Sequence, residues 1–157
     1  MNAKIEIKMM PEIHLASMRH VGAFDQIGLV YGKLFQWAGP KGLLANPNLK
    51  TATVYHDDPS VTDIEKLRQS ACITVENPIQ AEGEILPYTL KEGKYAVGRF
   101  EITDQEFEKA WNSMCVWVEE NGYEEEELNG NYYELYHNNH MEHPERKFIL
   151  DICIPVK

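Results

Sequence analysis

The chain reads as one pattern written twice. Cys72-Ile73-Thr74-Val75 returns as Cys153-Ile154-Pro155-Val156, an offset of 153 − 72 = 81, and Tyr55-His56-Asp57-Asp58 returns as Tyr136-His137-Asn138-Asn139 at the same offset. Upstream, Ala16, Arg19, Tyr31 and Trp37 line up with Ala96, Arg99, Trp111 and Trp117 one position closer. Two supersecondary units of this size bury too little alone and are expected to share a core, with a ligand cleft at the seam between them. The expected arrangement is a single domain over 1–157, with module one at about 1–76, a linker at about 77–83 and module two at about 84–157.

Each copy reads as strand, helix, strand, strand. In the first, Ile5 to Met10 and His14 to His20 are strand-like. From Phe24 the period becomes helical, with Ile27, Val30, Tyr31, Leu34, Trp37 and Ala38 forming a stripe that ends at Gly39-Pro40. Thr51 to Tyr55 and Ala71 to Val75 follow as strands, and Thr62 with Glu65 has capping-box spacing for a short turn between them. In the second, Glu84 to Leu90 and Tyr95 to Ile102 flank Lys91 to Lys94, which reads as a hairpin turn. Thr103 and Glu106 cap a helix carrying Phe107, Trp111, Met114, Trp117 and Val118 on one face and stopping near Asn121-Gly122. Tyr132 to Tyr136 and Phe148 to Val156 complete the copy. The fold class is α+β, a tandem βαββ duplication with pseudo-twofold symmetry.

Charge narrows the function. The net charge of −10 lies wholly in the second half: residues 1–80 hold eight basic and eight acidic side chains, and 81–157 hold seven and seventeen. Phosphate backbones are bound by cationic side chains, so direct nucleic-acid binding is not expected. No apolar run approaches the ~20 residues of a membrane span, and no leader-like segment opens the sequence, so a cytoplasmic protein without a membrane partner is expected. Cys72, Cys115 and Cys153 have no metal-like spacing and read as buried, reduced thiols. His137, His140 and His143 recur every third residue, but among asparagines and next to Pro144. They read as a loop and not as a metal site, and no cofactor is implied. Trp37 and Trp117 read as equivalent core positions.

The copies differ most on one strand. Tyr132, Glu134 and Tyr136 share a face where the first copy has Thr51, Thr53 and Tyr55. Divergence has therefore placed a carboxylate and an extra ring on one copy only, a pairing suited to a cation or a flat polycyclic ligand. Tyr133 and Leu135 are apolar enough to pack beneath the helix, which assigns Glu134 to the opposite face and the cleft.

These residues resemble the GyrI-like superfamily, which includes the effector-binding domains of AraC-type and MerR-type regulators. The resemblance runs from Ile5 to Val156. It is carried by Val54-Tyr55-His56-Asp57-Asp58-Pro59 with Glu65-Lys66-Leu67-Arg68, by Gly93-Lys94-Tyr95-Ala96-Val97, and by Tyr133 to Asn139 with Asp151 to Val156. Those blocks are closest to the stand-alone DNA gyrase inhibitor (SbmC) branch. The resemblance implies an inter-module cleft that binds amphipathic or cationic aromatic compounds, with Glu134 matching the family's pocket glutamate. Ligand-binding candidates are Glu134, Tyr136, Tyr55 and Trp111. Two alternatives stand: hydrolysis of a strained electrophilic toxin with Glu134 as general base, and direct action of the acidic half on DNA gyrase.

Overall fold

The computed structural model describes residues 3–128 and 130–157. In chain order the elements are β1 (Lys4–Met10), β2 (Ile13–Val21), α1 (Ile27–Ala38), β3 (Thr51–Tyr55), β4 (Arg68–Thr74), β5 (Ile85–Leu90), β6 (Gly93–Ile102), α2 (Phe107–Glu120), β7 (Tyr132–Tyr136) and β8 (Phe148–Pro155). They form two compact units. Unit one is Glu12–Leu90; unit two is Lys91–Lys157 together with Met1–Pro11.

Each unit is a four-stranded antiparallel sheet with one helix on one face. Unit one runs β5-β2-β4-β3 and unit two runs β1-β6-β8-β7. The orders match strand for strand, and so does the register: Arg19 lies opposite Ser70 in one and Arg99 opposite Asp151 in the other. The division of the chain, however, differs from the boundaries expected at 1–76 and 84–157. β1 pairs with β6 and β5 pairs with β2, so each half of the sequence donates its first strand to the unit built mainly by the other half. Residues 77–83 therefore lie inside unit one. For the same reason Lys91 to Lys94 is no hairpin turn, because the strands flanking it pair with other partners.

The helices form where the stripes predict. Glu106 reaches back to the Thr103 amide (2.9 Å) and hydroxyl (3.0 Å), fixing the turn that opens α2, and Gly122 closes it at φ 75°. Ala110, Met114 and Val118 are buried against Ala96, Phe100, Ile102, Leu150, Ile152 and Ile154. Gly98 permits that approach, since a Cβ there would sit 2.4 Å from the Met114 sulfur. In unit one Val30, Leu34 and Ala38 play the same part against Ala16, Met18, Ala71 and Ile73. Fully burying side chains such as Leu34 or Ile152 contributes roughly 1.5–3 kcal/mol each. Near Thr62, a single turn over Ile64–Lys66 forms without any side-chain cap, its N-cap residue being Asp63.

One further expectation holds at the edge of the core, where Trp37 and Trp117 pack against the two clusters, and another is corrected. Trp37 and Trp117 are half-buried at the core margin, with the Trp37 indole donating to Glu82 (3.1 Å) and Trp117 stacked on Tyr123. Cys72 and Cys153 are buried, and desolvation pushes both thiols far above their usual range, but Cys115 is exposed. Among the described residues no helix is long and apolar enough to cross a membrane.

Candidate functional site

Strand β7 is buried on both faces, and its register with β8 decides which side chain points where. Glu134 lies opposite Ile152, which faces α2, while Tyr133 lies opposite Cys153 on the other face. Tyr132 and Tyr136 pack into the cluster under α2. Tyr133 is 1% exposed and packs edge-on against Tyr95, 5.6 Å between ring centres. The face assignment made from apolarity is therefore reversed: Tyr132, Glu134 and Tyr136 take the helix side. The reason is physical. Both faces of this strand bury their side chains, so the apolar character of Tyr133 and Leu135 does not discriminate between them.

Three of the four candidate residues meet there. Glu134 is 1% exposed. Its Oε2 accepts a 2.6 Å hydrogen bond from the Trp111 indole N–H, and its Oε1 accepts one from the Tyr136 hydroxyl. Trp111 comes from the second turn of α2 and Tyr136 from two residues along the strand, so helix and sheet each supply one donor. Neither donor carries charge. The fourth candidate, Tyr55, belongs to unit one, where its ring meets Phe24 edge-on at 5.0 Å. Tyr132 turns its hydroxyl to Glu125 (3.0 Å); burial, and then the Glu125 charge, raise it far above the normal phenol range.

The ring system around Glu134 is larger than the sequence suggested. Phe148 lies 6.0 Å from Tyr136 and meets Phe107 edge-on at 5.1 Å, and His140 stacks on Phe148 at 4.0 Å. Phe148 was signalled by its parity with Leu150 and Ile152 on β8. His140 sits on a single turn of the connecting loop, and no sequence period pointed to it. The three loop histidines part ways: His137 bonds Asp151 (2.8 Å), His140 stacks, and His143 approaches Glu101 at 3.4 Å.

Unit one holds the equivalent place without the carboxyl group. The Tyr31 hydroxyl donates to the Ala52 carbonyl (2.6 Å) and lies 2.7 Å from the Thr53 hydroxyl, where unit two has indole and carboxylate. A solvent-open depression of about 680 Å³ elsewhere in unit two, lined by Cys115, Tyr123 and the Glu124 to Glu127 run, does not include Glu134.

The family model described as a GyrI-like small molecule binding domain matches residues 3–157. The DNA gyrase inhibitor of Escherichia coli (strain K12) is 30% identical over 111 residues, 68% of each chain. Among solved structures, the EcmrR C-terminal domain covers 100% of this chain and 99% of its own at a TM-score of 0.76 and 22% identity. The structure of SAV2435 bound to tetraphenylphosphonium covers 98% of this chain and 94% of its own, with a TM-score of 0.61 and 15% identity.

Proposed function

We infer that this chain, which belongs to the GyrI-like small-molecule-binding family, binds amphipathic aromatic cations at Glu134. The observation that carries the reading is a carboxylate 1% exposed, bonded by Trp111 and Tyr136 and set among half-buried rings. Ring faces attract a cation through their quadrupoles by about 0.5–2 kcal/mol each, and a carboxylate shielded from water adds an opposite charge screened less than a surface one. Tetraphenylphosphonium, the ligand of the structurally similar SAV2435, has this chemistry. Trp111 takes part in the site and would report occupancy by its fluorescence.

The test is titration with tetraphenylphosphonium, with tetraphenylborate as a control of the same shape and opposite charge. Saturation at micromolar phosphonium is expected, with no response to the borate. Glu134→Gln should weaken binding at least tenfold, which corresponds to about 1.4 kcal/mol. If wild type does not saturate, or if the Gln variant binds equally well, the role of Glu134 is wrong.

A second reading is supported by the name of the Escherichia coli relative, a DNA gyrase inhibitor. In it, the acidic residues concentrated in 81–157 engage a basic surface of gyrase. Inhibition of supercoiling that weakens with added salt is the expected result, because such a contact is screened over about 8–10 Å at ordinary ionic strength. Hydrolysis is less well served by the geometry. The Tyr136 proton is already committed to Glu134, so that pair cannot act as separate base and donor without first breaking its own bond.

A further inference from the structure

On the sheet face away from its helix, each unit carries the same constellation with one exchange. In unit two, Asp151 on β8 is held by Arg99 on β6, Nε at 2.6 Å, and by His137 Nε2 at 2.8 Å. Its side chain is 8% exposed. In unit one the matching positions are Arg19 on β2, His56 after β3 and Ser70 on β4. The match extends to the backbone: the His56 amide donates to the Arg68 carbonyl (2.9 Å) as the His137 amide donates to Ile149 (2.8 Å). The neighbouring side chains agree as well. Asp57 accepts from the Arg68 amide (2.9 Å) as Asn138 accepts from the Ile149 amide (2.8 Å). What differs is that a hydroxyl stands where the other unit has its carboxylate.

Unit one therefore keeps the anion's donors and lacks the anion. His56 Nε2 lies 2.8 Å from the Ser70 hydroxyl. Arg19 is exposed and makes no ion pair within 4 Å among the described residues. The other charges near His56 are those of Arg68 and Asp57, which bind each other through two side-chain bonds of 2.8–2.9 Å and largely cancel. Tyr88 from β5 presents its ring edge-on to the imidazole at 5.6 Å.

We propose that Arg19, His56 and Ser70 form a binding site for the carboxylate of a small organic acid, which occupies in unit one the role that Asp151 fills in unit two. The site is independent of Glu134. The guanidinium of Arg19, whose residue lies opposite Ser70 in the ladder, and the His56 ring and Ser70 hydroxyl, which bond each other in its place, supply the group types that hold a planar carboxylate. The state of His56 agrees with an absent counter-ion. Desolvation, followed by the positive charges of Arg19 and Arg68, brings its pKa down to about 4, with Asp57 opposing. An anion seated beside it reverses the electrostatic part of that shift.

The test uses NMR of the His56 ring in the full chain, with formate as the probe and chloride at equal ionic strength as the control. At pH 5.5 a group with a pKa near 4 is about 3% protonated, and a rise of one unit takes it to about a quarter. A saturable formate-dependent shift of the His56 resonance in that direction is expected, with chloride inert. Linkage then requires formate to bind about tenfold tighter to the protonated site than to the neutral one. Arg19→Gln, an exposed position, should abolish the response. Ser70→Asp, which copies the sister unit, should protonate His56 without formate and leave it insensitive. A wild-type resonance that formate does not move overturns the proposal, as does an equal response in wild type and Arg19→Gln.

Discussion

Gly98→Ala tests whether the close approach of α2 sets the geometry at Glu134. Gly98, Ile152 and Glu134 form one row across β6, β8 and β7, all facing the helix. The added methyl would lie 2.4 Å from Met114 Sδ, 2.7 Å from Phe100 Cε2 and 3.3 Å from Ile5 Cγ1. Ordinary carbon contacts are about 3.5–4.0 Å, so Met114 and Phe100 must each withdraw by about 1 Å. Both are 1% exposed or less and have little room to move. Overpacking of this kind costs about 1–3 kcal/mol, and the reduced freedom of the unfolded chain returns about 0.4–1. The net loss should be about 1–2 kcal/mol, read as a fall in the urea midpoint at unchanged slope, or as about 2–8 °C in Tm. Because α2 carries Trp111, its indole N–H resonance should shift as the bond to Glu134 lengthens. In a double-mutant cycle with Met114→Ala, removing the sulfur should relieve part of the penalty and give a coupling above about 0.5 kcal/mol. Strict additivity, or a variant as stable as wild type with an unmoved indole resonance, would falsify the close-packing account.

Other outcomes follow from the same geometry. Burial alone would raise the Asp151 carboxyl, but the bonds from His137 and Arg99 outweigh it and hold the group below its ordinary value. Its contribution is therefore present at neutral pH and fades as acid protonates it. Asp151→Asn should lose about 1–3 kcal/mol at pH 7 and approach wild type only in acid, below the ordinary carboxylate range; a pH-independent deficit contradicts the ion-pair role. Tyr31→Phe should cost about 1 kcal/mol in urea unfolding, since the Ala52 carbonyl and Thr53 hydroxyl lose the phenol; a neutral substitution would show that these bonds are dispensable. A disulfide reagent at pH 8 should modify one thiol in the native protein, Cys115, and three after unfolding; rapid reaction of two or more native thiols would contradict the burial of Cys72 and Cys153.

Much of this was legible in the sequence because it rests on local signals. The α1 stripe ends at Ala38 as its period requires, and β3 and β7 occupy the five-residue runs that alternation marks. Glu134, Trp111 and Tyr136 were legible as a group because duplication exposes divergence. Strand exchange was not, since nothing local in Ile5 to Met10 says which sheet it will join. The face of Glu134 was misread because alternation gives parity but not polarity: with Tyr133 and Tyr136 on opposite faces of a strand buried on both sides, the sign comes from Ile152, a partner chosen by tertiary pairing. His140 lies in a loop whose ring contact is made through Phe148, eight residues on, at no secondary-structure spacing.

The exchanged first strands also bear on how the chain emerges from the ribosome. β1 leaves the exit tunnel long before its partner, residues 93–99, so Lys4 waits for Arg99. At 5–20 residues per second that wait is about 5–20 s, during which an amphipathic strand has no ladder partner. β2 likewise lacks β5 along one edge until Ile85–Leu90 have been made. A nascent chain halted after the first copy would thus present β1 without its partner and β2 with an open edge, both templates for intermolecular pairing. A tandem repeat that looks suited to folding piece by piece is committed by this exchange to folding late, once both halves of the message have been read.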